Sequence, residues 1–129
     1  GIASPVEDDR ALIKELLDLM TKDGADFTNT FANLNTANAS DQFLNRDSFD
    51  AWAERWRLRK SAPNLMATAN PQVIPRNHRI EEVITAGLSG DYAPFHALLA
   101  SVTNPYAPHP DFARAPSKDE QVTRTFCGT

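Results

Sequence analysis

The sequence predicts an all-α fold, a small bundle of about four to six short helices with long connectors and a Pro-rich C-terminal tail. Apolar residues recur in several segments at steps of three and four residues, which is the period of a helix. No segment of useful length alternates between apolar and polar residues as a half-buried strand does. The 129 residues are 41% hydrophobic and 23% charged. The chain therefore has the size and composition of a globular domain that needs no disulfides.

The first helix is predicted to start at Ser4, which suits the N-cap position, with a proline next and Glu7 placed to complete a capping box. Its buried face is predicted to consist of Ile13, Leu16, Leu17 and Met20, which follow helical spacing. Gly24 breaks the pattern and should end the helix. We interpret Asp8 and Asp9 as surface residues that complement the positive end of the helix dipole, rather than as catalytic carboxylates.

Aromatic residues define the next two helices. The second is predicted from about Asp26 to Thr36, and the third follows a polar loop and is capped by Asp47 or Ser48. Their apolar faces carry Phe27, Phe31 and Leu34 in the second helix, and Phe49, Trp52 and Trp56 in the third. We expect both tryptophans to be core residues that pack against the helices after residue 78, and a stacking platform for a ligand is the alternative.

The stretch NPQVIPRNH, from Asn70 to His78, interrupts the helical pattern after a short helical turn at Leu65 and Met66. Proline disfavours the helical conformation of the residue before it, so residues 70–75 should be extended and rigid. We interpret this stretch as a rigid connector, in preference to a catalytic loop or a metal site, because its prolines reduce the entropy lost on ordering it and the positive charge of Arg76 and Arg79 beside His78 opposes a metal ion.

Two more helices are predicted after this stretch. The apolar face of the first consists of Ile80, Val83, Ile84 and Leu88, and Gly87 or Gly90 can supply its end. Asp91 should cap the second. Its inward-facing residues are predicted to be Phe95, Leu98, Leu99 and Val102.

The composition changes after residue 103. Four prolines fall within residues 104–116, and this density excludes a helix or a central strand. Tyr106, Phe112 and Phe126 favour a tail that lies over a surface, in preference to a disordered end. We therefore predict a helical domain over residues 1–103 and a Pro-rich tail over 104–129 that ends in Cys-Gly-Thr.

Several classes of function are disfavoured. The single cysteine, Cys127, excludes an internal disulfide, and no apolar run approaches the length of a membrane span. Basic residues flank Trp56 at Arg55, Arg57, Arg59 and Lys60, but the net charge of −4 argues against nucleic-acid binding and favours a solvated helix face. The sequence predicts no membrane and no nucleic-acid partner.

No self-contained catalytic site emerges. His78, His96 and His109 have no metal-ligand spacing to another histidine, cysteine or carboxylate. There is no Gly-rich phosphate loop and no serine in a nucleophile elbow. We therefore predict no catalytic, cofactor-binding or metal residue in this chain.

Four motifs together indicate a family. The pattern W-x3-W-R at Trp52, Trp56 and Arg57 precedes NPQVIPRNHRIEEVI, and GDYAPFHALLASVTNPY and a terminal TFCGT follow. In these motifs the chain resembles the C-terminal region of the selenoprotein O family, which consists of pseudokinase-like protein adenylyltransferases. The resemblance covers about residues 11–129 and is tightest over 70–106 and 123–129. Gly1 is compatible with a remnant of tag removal, which fits a chain that is a piece of a larger protein.

The resemblance implies a function for the larger protein. Such proteins bind ATP with Mg²⁺ or Mn²⁺ in a kinase-like fold and transfer AMP to Ser, Thr or Tyr of protein substrates. The residues that perform this chemistry lie in the family's N-terminal part, so we expect this chain alone to be inactive, in the cytoplasm of a bacterium. A non-enzymatic helical protein-interaction module is the alternative.

The resemblance also implies roles for particular residues. Cys127 occupies the family's C-terminal redox position, and an unpaired terminal thiol without a role is the alternative. Arg76, Asn77 and His78 are predicted to dock on the kinase-like part. In one alternative, Arg76 and Asn77 donate to backbone carbonyls or carboxylates of neighbouring helices. In another, Arg76 and His78 face the nucleotide or substrate of the kinase-like part. The predicted partners are that kinase-like part, the protein substrates, or a second copy of the chain that covers an apolar surface. The candidate residues for that surface are Tyr106, Phe112, Phe27 and Phe31.

Overall fold

A computed structural model describes residues 2–124 of the chain. The predicted all-α class is confirmed, since these residues form helices and contain no strand. The α-helices are α1 (Glu7–Asp23), α2 (Phe27–Asn33), α3 (Arg46–Arg59), α4 (Asn64–Ala69), α5 (Asn77–Leu88), α6 (Ala93–Val102) and α7 (Pro110–Ala113). Two 3₁₀ turns lie at Ala39–Gln42 and Lys118–Glu120. Within the described residues, no helix is both long and apolar enough to span a membrane.

The chain divides into two compact units, which we call the first unit (residues 1–70) and the second unit (residues 71–129). The first unit contains α1 to α4, and the second contains α5 to α7. The predicted division into a helical domain over 1–103 and a tail over 104–129 stays a prediction.

Helix α1 begins later than predicted, with Val6 in place of Ser4 as its N-cap. The carboxylate of Asp9 accepts a hydrogen bond of 2.8 Å from the Val6 amide, so an acidic residue of the first turn satisfies the cap. Gly24 ends the helix as predicted, with a φ of 66° that a glycine adopts without steric cost.

The buried face of α1 differs in part from the predicted one. Leu12, Leu16 and Met20 are buried, whereas Ile13 and Leu17 are exposed. The buried set keeps a strict four-residue step, so the face turned inward is narrower than the apolar pattern of the sequence suggested.

Asp9 is buried, which contradicts its interpretation as a surface residue. Its two carboxylate oxygens accept hydrogen bonds of 2.7 Å from Nε and Nη2 of Arg59, fifty residues later in the chain. These bonds, with the bond from the Val6 amide, lower the pKa of Asp9 to about 2. A neighbouring ion pair joins Arg55 to Glu15 and links the same two helices.

The N-caps of α2 and α3 are side chains that accept hydrogen bonds from amides in the first turn of each helix. Helix α2 begins at Phe27, next to the predicted start near Asp26, and ends at Asn33, earlier than predicted. Asp26 is its N-cap, and the Oδ1 of Asp26 accepts from the Asn29 amide at 2.8 Å. Helix α3 is capped by Asn45, whose Oδ1 accepts from the Ser48 amide at 3.1 Å. The predicted caps, Asp47 and Ser48, are therefore wrong, since the cap lies two or three residues earlier.

The core of the first unit forms around α3. Both predicted core tryptophans are confirmed, with Trp52 only 2% exposed and its ring stacked on that of Trp56 at 5.8 Å between centroids. The indole Nε1 of Trp52 donates a 2.8 Å hydrogen bond to the carbonyl of Leu12 in α1. The tryptophans were predicted to pack against helices after residue 78. Helix α1 supplies packing partners instead, and the residues of the core cluster lie between Leu12 and Met66.

Helices α5 and α6 form a hairpin in the second unit. The N-cap of α6 is Tyr92, one residue after the predicted cap Asp91, although Asp91 Oδ1 accepts from the Ala93 amide at 3.0 Å. Of the eight apolar residues predicted to face inward, Leu98 is buried and Ile80, Val83 and Val102 are half-buried. The exposed ones are Ile84, Leu88, Phe95 and Leu99, so the hairpin presents apolar side chains outward.

The tail contains a short helix, α7, although a helix was predicted to be excluded there. Pro110 occupies the first position of α7, where the amide proton that proline lacks has no partner within the helix. The prolines therefore limit the length of this helix to one turn without preventing it.

Candidate functional site

The segment between α4 and α5 contains no helix; its backbone is extended at Asn70, as predicted, and bends at Gln72. It is hydrogen-bonded to the start of the tail. The amides of Gln72 and Val73 both donate to the carbonyl of Pro105, at 2.7 and 3.3 Å. Val73 is buried, while Ile74 and Pro75 are exposed. The segment is therefore anchored at its first residues and reaches α5 through Arg76, its N-cap.

Two arginines hold the tail against this segment. Arg76 is only 7% exposed, and its Nη2 donates a 3.0 Å hydrogen bond to the carbonyl of Ala113. Arg79 donates from Nη2 to the carbonyl of Asp111 at 2.7 Å, and its guanidinium lies 5.9 Å from the centre of the Phe112 ring. We call Arg76 and Arg79 the arginine clamp. It fixes α7 through backbone carbonyls and a cation–π contact.

An ion pair within the tail follows α7. Arg114 binds both carboxylate oxygens of Glu120, at 2.7 and 2.6 Å, and Glu120 also accepts from the Ser117 amide at 2.7 Å. These bonds lower the pKa of Glu120 well below its usual range. They close the turn at residues 117–120. The prediction of a tail that lies over a surface therefore holds as far as the structure describes it.

The three predicted docking residues have different environments. Arg76 and His78 are buried in the second unit, and Asn77 between them is exposed. Arg76 thus has a partner within this chain, the Ala113 carbonyl. That these three residues contact another domain, or that Arg76 and His78 face a nucleotide, stays a prediction. Cys127 lies outside the described residues, so its redox role stays a prediction too.

His78 is 5% exposed, and its Nε2 has no hydrogen-bond partner among the described residues. Burial lowers the pKa of His78, and the nearby charge of Arg79 lowers it further. Arg114 acts in the same direction, whereas Glu120 and Glu82 oppose it. The imidazole is therefore neutral at pH 7.

We expect the second unit to lose stability as the pH falls below about 6.5, the ordinary pKa of histidine. The unfolded chain then gains a proton at His78, while folded His78, with its lowered pKa, gains it only at lower pH, so proton uptake favours unfolding. His78→Gln should reduce this loss. The measurement is the urea midpoint of unfolding at pH 8.0, 6.5 and 5.5, followed by circular dichroism.

His96 offers a matched control, because it is an exposed histidine of α6. His96→Gln should leave the pH dependence as it is in the parent sequence. If His78→Gln and His96→Gln have the same pH dependence, buried His78 is not the group responsible.

The first unit contains a feature that the sequence did not reveal, an apolar cavity of about 390 Å³. Its walls include Leu16, Phe31, Trp52 and Trp56, and the exposed residues Ile13 and Leu65 also line it. Helical spacing predicted that most of these residues face inward, but the volume of a cavity depends on how closely the helices approach one another. Among the described residues, no three His, Cys, Asp or Glu side chains are grouped so that they could hold a metal ion.

The fold and these contacts define an all-helical region whose tail is held by hydrogen bonds to its own chain. Comparison with known proteins gives the relationship. The protein nucleotidyltransferase YdiU of Roseobacter denitrificans is 51% identical, and the proteins of the same name from Ruegeria pomeroyi and Agrobacterium fabrum are 48% and 40% identical. Each match covers 100% of this chain. Over its whole length the chain is thus similar to a region of proteins named protein nucleotidyltransferase YdiU, which agrees with the resemblance that its motifs indicated.

The chain spans only 28%, 29% and 30% of the length of these three relatives. No protein-family model matches it. The whole of this chain is therefore similar to one part of longer bacterial proteins.

Proposed function

We propose that this chain is the non-catalytic, C-terminal helical region of a longer bacterial protein adenylyltransferase, which transfers AMP from ATP to Ser, Thr or Tyr of other proteins. The observation that carries the proposal is the similarity of the entire chain to proteins named protein nucleotidyltransferase. We place the longer protein in the cytoplasm.

The chemistry of AMP transfer is assigned to the part of the longer protein outside this chain. Phosphoryl and nucleotidyl transfer depend on positioning and on neutralising charge, for which metal ions and basic side chains are used. The described residues supply no grouped metal ligands, and the clamp arginines bind backbone carbonyls of their own tail. ATP and Mg²⁺ or Mn²⁺ would therefore bind elsewhere, and the role of this region is to pack against the kinase-like part.

We expect the 129-residue chain to bind no ATP, whereas the full-length protein binds it and labels protein substrates with AMP. Calorimetric titration with Mg-ATP tests the first statement, and transfer of labelled AMP with Mg²⁺ or Mn²⁺ tests the second. Saturable micromolar binding of ATP by the short chain would overturn the assignment of the site. A full-length protein that binds ATP without transferring AMP would overturn the reaction.

A helical protein-interaction module is the second candidate, and the α5–α6 hairpin favours it. Its exposed apolar residues, Leu88, Tyr92, Phe95 and Leu99, suit a protein contact. The sequence of the gene upstream of this chain separates the two candidates. A kinase-like region with a lysine and metal-binding Asn and Asp indicates the enzyme, and its absence indicates the module.

A further inference from the structure

The apolar cavity of the first unit measures about 390 Å³ and is partly open to solvent, since exposed residues are among its lining. Concave sites lined mainly by apolar side chains bind apolar groups, because binding removes apolar surface from water. Its polar lining residue, Asn70, already uses its side-chain amide to donate a 2.8 Å hydrogen bond to the carbonyl of Phe31. The site therefore suits apolar side chains.

The mouth of the cavity is also apolar. Ile13 of α1 and Leu65 of α4 line the cavity and are exposed to solvent at about half of their surface. Two large aliphatic side chains at the opening of an apolar cavity are costly to leave in water. An occupant that covers them would gain from both the cavity and its rim.

The chain itself enters the first unit at this cavity. Ile2 lines it, and the next two residues are held in place by hydrogen bonds. The amide of Ala3 donates to Ser61 Oγ at 3.0 Å, and the carbonyl of Ser4 accepts from Arg59 Nη2 at 3.1 Å. Arg59 is in turn fixed by its ion pair with Asp9. A polypeptide that continues upstream of Ile2 therefore starts at the cavity.

We propose that, in the longer protein, the residues directly upstream of this chain fill the cavity with large apolar side chains. The inference rests on the proposed function in one respect, that the chain is the C-terminal region of a longer protein and so follows further residues; the 28% coverage of its relative supports the greater length. A covalently attached segment that begins at the site loses little loop-closure entropy when it binds there. Its effective concentration at the cavity is therefore high, which favours it over a separate ligand.

The tryptophans make this occupant measurable. Trp52 and Trp56 are the only tryptophans of the chain, and both line the cavity. The 129-residue chain is compared with a version extended at its N-terminus by the preceding residues of its own gene, chosen to contain no further tryptophan. In the extended chain we expect a shift of tryptophan emission to shorter wavelength and a lower acrylamide quenching constant.

Substitutions at the rim should remove this difference. Leu65→Asp places a charge at the mouth of the cavity, and Ile13→Asp does the same on α1, so that a second variant is available if one fails to fold. Leu58→Asp is the matched control, because Leu58 is an exposed leucine of α3 that does not line the cavity. Circular dichroism establishes that each variant keeps its helices.

Each outcome decides the proposal. A spectral shift that the rim variants abolish and the control keeps supports it. Identical emission and quenching in the short and extended chains overturn it, as does a shift that survives both rim variants. A shift in the short chain that grows with its concentration means that a second copy fills the cavity, which also overturns it. None of these readouts uses AMP transfer, so the proposed reaction can fail while this inference stands.

Discussion

Replacing Trp52 with alanine is expected to destabilise the first unit by about 3–5 kcal/mol, the range for large-to-small aromatic substitutions in cores. Trp52 is 2% exposed, stacks on Trp56 and donates a hydrogen bond to the Leu12 carbonyl. The substitution therefore removes buried apolar surface and a bond that joins α3 to α1. The measurement is the free energy of unfolding in urea, followed by circular dichroism.

The control for this prediction lies on the same helix. Leu58 is 88% exposed, so Leu58→Ala should change the free energy of unfolding by less than about 0.5 kcal/mol. A loss below about 1 kcal/mol for Trp52→Ala would place the indole outside the core and revive the interpretation of the tryptophans as a stacking platform.

Arg76→Ala should destabilise the second unit by about 1–3 kcal/mol, because it leaves the Ala113 carbonyl without its charged donor. The tail should then exchange its amide protons faster, since α7 is held through this carbonyl and that of Asp111. Hydrogen exchange over residues 105–115, read by mass spectrometry, measures the local effect, and urea unfolding measures the free energy.

Arg57→Ala is the comparison for the clamp, because Arg57 is an exposed arginine of α3 in the first unit. It should leave exchange in residues 105–115 unchanged. Equal exchange in Arg76→Ala and the parent sequence would mean that the tail is held by other contacts.

Local signals in the sequence were sufficient to predict the helices and part of the core. The spacing of Trp52 and Trp56 predicted their burial, and Gly24 and Asp26 marked helix ends correctly. The environment of Asp9 was missed, because its partner lies fifty residues away in another helix. Periodicity identifies an apolar face, but the residues that cover it belong to other segments. The exposed Leu88 shows this limit.

The candidate site was predicted to a similar extent. The sequence singled out Arg76 through its place after two prolines, and the structure shows that this arginine is buried and bonded. Its partner could not be predicted, because the tail was expected to contain no helix and Ala113 carries no side-chain signal. The cavity was missed for a related reason: the volume left between helices follows from their approach, which no single helix encodes.

The connections between paired helices also determine the order in which the two units can fold. Helices α5 and α6 are joined only by residues 89–92, so their contact is local and closes a small loop. Helices α1 and α3 meet only after residues 24–45 have been brought together, which costs more chain entropy before any contact is gained. Local contacts form faster than distant ones. During refolding, we therefore expect the α5–α6 hairpin to assemble ahead of the tryptophan core, and indole fluorescence should report the slower step.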